Sequence, residues 1–257
     1  MLNKIYWVAF TTLLYKEINR FLRIWVQTLL PSLVTMLLYF LIFGQVVGKN
    51  ISAIKGLNYI SYISPGLIMM AIITNSFSNV SSSLYSARFQ KSIEELIIAP
   101  IPNILLLSGF VLGGVIRGLI IGTLVTLLAL CFTYFPMTHL WILFAIVPST
   151  AILFALAGFT NALFAKSFDD ISAIPTFVLT PLTYLGGVFY SIDALPLFWQ
   201  KVSMLNPFLY IVNAFRYALL GISDVSITHA LSIVWLCCAI LIGLNLYLLS
   251  KGKGLRS

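Results

Sequence analysis

The stretch Ile24-Trp-Val-Gln-Thr-Leu-Leu-Pro-Ser-Leu-Val-Thr-Met-Leu-Leu-Tyr-Phe-Leu-Ile-Phe-Gly-Gln-Val46 holds no charged side chain. A helix needs about 20 such residues to cross a hydrocarbon core of about 30 Å. The stretch therefore reads as a membrane span, with Pro31 near its start as a candidate kink. The composition of the whole chain agrees. Hydrophobic residues make up 60% of the 257 and charged ones 9%, against about 25% charged in a soluble domain. So little charge leaves lipid as the solvent for the apolar surface. Six spans take up roughly 120 residues, which fits one domain.

Further spans are expected at about Ser64–Leu84, Leu106–Tyr134, Leu140–Phe164, Ile171–Tyr190 and Ala230–Leu249. The second turns polar toward its exit, with Thr74, Asn75, Ser76, Ser78, Asn79 and Ser81 to Ser83. Such a face prefers other helices or water to lipid. The fifth carries Pro175, Pro181 and the pair Gly186-Gly187. Residues 191–221 then mix apolar runs with Asp193, Pro196, Lys201, Asn206-Pro207 and Arg216. Two short helices dipping into the outer leaflet satisfy both features, because broken backbone at membrane depth must be covered by protein or water. The expected fold is an all-α membrane helix bundle. It has six transmembrane helices, an N-terminal interfacial helix and re-entrant helices before the last span.

Lys4 and the apolar run Ile5–Tyr15 imitate a signal peptide, but no small-x-small cleavage pattern follows and Lys16, Glu17, Arg20 and Arg23 come next. On a helix, Lys4, Thr12, Lys16, Asn19, Arg20 and Arg23 gather on one side and Phe10, Leu14, Ile18 and Phe21 on the other. That pattern describes a helix lying in the membrane interface. With this helix inside the cell, the inner side holds Lys4, Lys16, Arg20, Arg23, Arg88, Lys91, Lys166, Lys251, Lys253 and Arg256. The outer side holds only Lys49, Lys55, Lys201 and Arg216. The bias of basic residues places both termini in the cytoplasm. The net charge of +8 thus serves topology and anionic lipid headgroups, and no nucleic acid is expected as a partner.

Catalytic groups are missing. Cys131, Cys237 and Cys238 lie in apolar stretches and match no metal-site spacing. His139 and His229 are too far apart in the chain to suggest a metal centre. Glu17, Glu94, Glu95, Asp169, Asp170, Asp193 and Asp224 all fall in loops or at helix ends, so no mid-membrane acid is on offer to a coupling ion. Gly44-Gln-Val-Val-Gly-Lys-Asn50 imitates a phosphate-binding loop, but it is one residue short and lacks the Ser or Thr that would hold magnesium. Work done by this protein needs energy from another subunit.

Arg117 is the one ionised group in mid-span, at an insertion cost of about 2.5–3.5 kcal/mol. It either snorkels or bonds to neighbouring carbonyls, or it serves the substrate path or a subunit contact. Around it run Gly109-x-x-x-Gly113 and Gly114-x-x-x-Gly118-x-x-x-Gly122, a spacing that lets helices approach closely within the chain or across a dimer seam. The segment Ser86-Ala-Arg-Phe-Gln-Lys-Ser-Ile-Glu-Glu-Leu-Ile-Ile-Ala-Pro100 places Phe89, Ile93, Leu96 and Ile97 at helical spacing, closed by Pro100 and Pro102. It reads as one short amphipathic helix over about 86–99. Either it tucks under the bundle or it docks a cytosolic partner on an apolar face.

Three stretches carry a family resemblance: Arg88 to Pro102, Phe164-Ala-Lys-Ser-Phe-Asp-Asp170 running on to Tyr190, and Leu205-Asn-Pro-Phe208 onward to Phe215-Arg-Tyr217. Over essentially its whole length the chain resembles an ABC-2 type transporter permease, closest to the YadH-type inner-membrane permeases of Gram-negative bacteria. The resemblance implies a homodimer in the bacterial inner membrane, each copy bound to a cytosolic ABC ATPase that holds ATP and magnesium. No cofactor is implied in this chain. Residues 1–23 match the family's connecting helix, 24–250 its transmembrane domain and 251–257 a basic cytoplasmic tail. Arg88, Phe89, Gln90, Lys91, Ile93, Glu94, Glu95 and Leu96 match its coupling helix. The region Asp193–Tyr217 matches re-entrant helices that close the outer mouth. Spans one and five would line an export route, with Tyr184, Phe189, Tyr190, Asn206, Arg216 and Arg117 along the path or its gate. The substrate does not follow. The alternative from another class is a non-transporting membrane scaffold or a secondary transporter.

Overall fold

The computed structural model describes residues 2–48, 50–51, 53–98 and 101–252. Lys49, Pro100, Lys253 and Arg256, on which parts of the reading above rest, lie outside the described residues. The chain is helical, with no strand among the described residues. Helix α1 is Leu2–Arg23. Helix α2, Trp25–Val47, is interrupted at Leu29 and ends in a π turn over Phe40–Val47. Pro31 sits in the first turn after the interruption, where a missing N–H forfeits no helical bond. Then follow α3 (Tyr59–Phe89), α4 (Ser92–Ile98), α5 (Asn103–Leu130) and α6 (Leu140–Phe164). Helix α7 covers residues 168–185 in three pieces, Phe168–Ile174, a π turn Pro175–Leu179 and Thr180–Leu185. The chain closes with α8 (Leu197–Met204), α9 (Pro207–Leu220) and α10 (Ile227–Ser250).

Among the described residues, five helices, α2, α3, α5, α6 and α10, are long and apolar enough to cross a membrane. The fifth expected span, Ile171–Tyr190, is not among them. Pro175 and Pro181 open its second and third pieces, because a proline cannot donate to the helical ladder. The second expected difference is at the end of α3. The expected helix over 86–99 is broken at Gln90 and Lys91, so Arg88 and Phe89 belong to the long helix and only Ser92–Ile98 forms the short one. Lys91 takes a φ of 59°, a left-handed turn that ends a helix.

The polar exit of the second span explains the packing order. Helix α3 is the hub, with 78% of its spanning window buried, and it packs on α5, α6 and α9. Ser64, Asn75, Ser76, Asn79, Ser81 and Ser83 all turn inward from it. Helix α2 has only 11% of its window buried and leaves most of its flank open. The glycine stripes of α5 make the close approaches possible. A Cβ on Gly113 would fall 2.7 Å from Glu17 Cβ, one on Gly114 2.9 Å from the Ser76 carbonyl oxygen, and one on Gly122 2.6 Å from Ile72 Cγ1. Likewise Gly109 meets Leu13 of α1 and Gly118 meets Ser76 of α3. Both stripes therefore pack within the chain, Gly109 and Gly113 against α1 and the others against α3.

Candidate functional site

At the end of α3, Arg88 Nη1 donates to the carbonyls of Ala162, Leu163 (3.2 Å) and Ala165 (3.2 Å), at the C-terminus of α6. A cation there meets the unpaired carbonyls and the negative end of the helix dipole. Phe89 stays exposed and joins an aromatic cluster with Tyr85 and Phe168, with ring centroids 5.4 Å apart for Phe89 and Phe168 and 4.8 Å for Tyr85 and Phe168. Phe168 is placed by a capping box at the start of α7, in which Asp170 N–H donates to Ser167 Oγ and Ser167 N–H to Asp170 Oδ2. The Lys166 N–H also donates to Asp170 Oδ2, at 2.8 Å. Between these elements lies a groove of about 440 Å³ lined by Tyr85, Arg88, Phe89, Lys91, Glu94 and residues 163–166. The expected apolar anchor of Phe89, Ile93 and Leu96 is not one face. Ile93 is buried, and half-buried Leu96 lines a second groove of about 260 Å³ with Phe10 and Leu13 of α1 and Leu106 of α5. What faces outward is Phe89, Gln90, Lys91, Glu94 and Glu95.

The seam between α1, α3 and α5 holds a second cluster. Glu17 is 1% exposed, and Arg20 Nε lies 3.6 Å from Glu17 Oε2, an ion-pair distance too long for a hydrogen bond. Burial raises the Glu17 carboxyl above its usual pKa and Arg20 opposes the rise, while burial lowers Arg20. Arg20 Nη2 donates to the carbonyl and to Oδ1 of Asn79, at 3.0 and 2.9 Å. Arg117 Nη2 donates to the Thr28 carbonyl at 2.9 Å and to Asn75 Oδ1 at 3.1 Å. The first reading of Arg117 thus describes its contacts, since Thr28 lies where α2 is interrupted. The sequence reading put Glu17 in a loop or at a helix end and Arg20 on the polar side of α1. Glu17 is buried and Arg20 partly so because Gly109 and Gly113 let α1 lie flat on α5. The signal was present: Leu13, Glu17 and Phe21 follow one another at four-residue spacing on the buried stripe.

At the end of the bundle opposite α4, Tyr39 and Phe43 of α2 meet Tyr184 and Phe189. Centroids of Phe43 and Phe189 are 5.1 Å apart, those of Tyr184 and Phe189 5.6 Å, and the Tyr39 and Tyr184 hydroxyls lie 3.3 Å apart. The Tyr190 carbonyl accepts from the Tyr62 hydroxyl at 3.4 Å. Asn206 caps α9, accepting from Phe208 N–H at 3.0 Å, and donates to the Leu182 carbonyl at 2.6 Å, which staples the α8–α9 turn to α7. Arg216 is buried. It donates from Nη2 to the Gly187 carbonyl at 2.7 Å, from Nε to the Tyr62 carbonyl at 3.3 Å and from Nη1 to Asn213 Oδ1 at 3.4 Å. Its guanidinium carbon sits 4.0 Å from the Tyr62 ring centroid, within cation–π range. Asp224 Oδ2 lies 3.9 Å from Arg216 Nη1, and Asp224 also pairs with Lys55. The structure therefore gathers Tyr184, Phe189, Tyr190, Asn206 and Arg216 and leaves Arg117 with the cluster of Thr28 and Asn75. Tyr62, Asn213, Asp224 and Lys55 were missed, although a buried arginine demands an acid nearby.

Residues 8–220 match the ABC-2 type transporter family, and the chain belongs to that family. Inner membrane transport permease YadH of Escherichia coli (strain K12) is 52% identical over 256 residues, covering 98% of this chain and 99% of that protein. The protein of the same name from Shigella flexneri matches equally. Nodulation protein J of Rhizobium meliloti (strain 1021) is 23% identical over 212 residues, covering 82% of this chain and 80% of that one. The chain is a membrane transport permease subunit and not itself an enzyme. Family membership implies a membrane setting and an ABC ATPase partner.

Proposed function

We propose that the chain is the permease half of an ATP-driven exporter in the bacterial inner membrane. Two copies pair, and each seats one ATPase chain at its cytoplasmic end. ATP and magnesium belong to the ATPase. Residues 1–23 act as a connecting helix, 24–250 as the transmembrane domain and 251–257 as a basic tail, with both termini cytoplasmic. Helix α7 serves as the fifth span in chain order and completes six, since residues 168–185 rise about 27 Å at 1.5 Å per residue. The re-entrant region 191–221 covers the outer mouth. Tyr184, Phe189, Tyr190, Asn206 and Arg216 belong to the route or its gate. Arg117 acts from the side, by holding the interruption of α2 against α3.

The observation that carries the coupling assignment is the 440 Å³ groove, in which exposed Phe89, Lys91 and Glu94 face the turn between α6 and α7. Arg88 ties α3 to α6 directly behind it, so a push on the groove reaches two membrane helices at once. A partner seated there contacts Phe89, Gln90, Lys91, Glu94 and Glu95, with Ile93 and Leu96 fixing α4 from beneath. Native mass spectrometry of the chain co-expressed with its ATPase and gently solubilised should show two copies of each. A stable lone monomer in lipid, with no ATPase bound, would overturn the reading.

A further inference from the structure

Four ionised side chains from four separate segments converge at the outer end. Lys55 comes from the loop between α2 and α3, Asp193 from the segment after α7, Arg216 from α9 and Asp224 from the loop before α10. Two positive and two negative charges meet. The inner half is sealed, with the side chains of Arg216 and Asp224 only 1% and 4% exposed. The outer half is wet: Lys55 is 33% exposed and Asp193 75%, with Lys55 Nζ 3.4 Å from Asp193 Oδ2. Burial pulls the Lys55 ammonium down, and the Asp224 and Asp193 carboxylates outweigh it, so its pKa stands above the usual lysine value. The loop is built to present this side chain. Lys55 takes a φ of 50°, rare for a residue with a Cβ, inside a tight turn closed by two hydrogen bonds of 3.0 Å between Ile54 and Leu57.

The same elements meet again just below. Tyr39 and Phe43 of α2 pack on Tyr184 and Phe189. Lys55 follows α2 in the chain and Asp193 follows α7. The ion pairs therefore tie the loop after α2 to the segment after α7, beside the aromatic rings that join α2 to α7. The two parts of the cluster differ in what release demands. Arg216 has a bond from each of its three nitrogens and a ring under its guanidinium, so freeing it would leave a buried charge bare. Lys55 touches water already, and solvent replaces its partners at small cost.

We propose that Lys55 is the movable half of an ionic latch, with Asp193 and Asp224 as its catch, that holds the outer mouth closed and is released during transport. Arg216 with Asp224 is the fixed half, which keeps α9 against α3. The latch rests on the reading of residues 191–221 as the outer closure.

The test uses the full chain in cells, with the native cysteines replaced and a membrane-impermeant maleimide added from outside. One cysteine is introduced as Tyr184→Cys, below the rim, and in a separate variant as Ser223→Cys, beside it. Lys55→Ala is expected to raise the labelling rate at position 184 about fivefold, the equivalent of one partly exposed ion pair of about 1 kcal/mol. Lys55→Arg, which keeps the charge, should leave the rate at the parent's value. Labelling at position 223 should proceed in every background. If position 223 cannot be reached from outside, the outward placement fails and the latch fails with it. If position 223 labels but Lys55→Ala leaves position 184 unchanged, or Lys55→Arg opens it as far as Lys55→Ala, the latch alone is wrong.

Discussion

Each end of the bundle sets an arginine beside a buried acid, and the two arginines are satisfied differently. At the end opposite α4, Arg216 donates from Nε, Nη1 and Nη2 and stacks on Tyr62. At the α1 seam, Arg20 Nε, Glu17 Oε2, Asn79 Nδ2, Ser76 Oγ and Arg117 Nε lack a hydrogen-bond partner among the described residues. A fully bonded buried network specifies one geometry, because any shift leaves a polar group bare. An under-bonded one fixes its geometry with fewer bonds. The first cluster thus specifies its geometry more tightly than the seam does.

The comparison breaks most visibly at Asp224. Asp224→Ala leaves Arg216 buried without an acid and should cost about 3–5 kcal/mol of stability. Heating followed by fluorescence-detected gel filtration would report it; a loss below about 1 kcal/mol would remove the outer cluster's special status. Arg117→Leu should have a smaller effect on folding, since replacing a buried charge by an apolar side chain of similar size is often neutral. It deletes the tie from α5 to the Thr28 carbonyl, so transport should fall well below the folded yield. Equal losses of both would make Arg117 merely structural.

Glu17→Gln sharpens the contrast through pH. The folded state raises the Glu17 pKa above 4.5, so folding favours its protonated form. The linked stability is full below 4.5 and is lost as pH rises through the raised value. The variant removes that loss, and its melting temperature should change less between acid and neutral pH than the parent's. An identical pH slope in the two proteins would mean that Glu17 is not buried. The smallest effect on stability belongs to Glu94→Lys with Glu95→Lys, since both side chains are exposed. The double variant should insert and melt as the parent does, yet pull down less ATPase, because reversed charge meets the wrong partner surface. Unchanged ATPase binding and transport would move the docking surface elsewhere.

Much of this was legible in the chain itself. The charge-free run from Ile24 to Val46 settles lipid as the solvent, and the Ser and Asn residues from Asn75 to Ser83 mark α3 as the helix others surround. Gly109 to Gly122 announce close packing, and Pro175 and Pro181 announce that the fifth apolar segment is not one smooth helix. These are local properties, set by solvation and by the backbone geometry of single residues. Partners were not legible. Nothing at Glu17 says that α1 lies on the glycines of α5, and nothing at Lys55 or Asp224 says that they meet across 169 residues. Whether Phe89, Ile93 and Leu96 share a face depended on a left-handed Lys91, one residue that divides two helices. Solvent choice comes from the sequence, because each residue contributes to it separately. Which charges are paired, and which are left wanting a bond, was decided only by the tertiary structure, because an ion pair belongs to two residues and to the fold that brings them together.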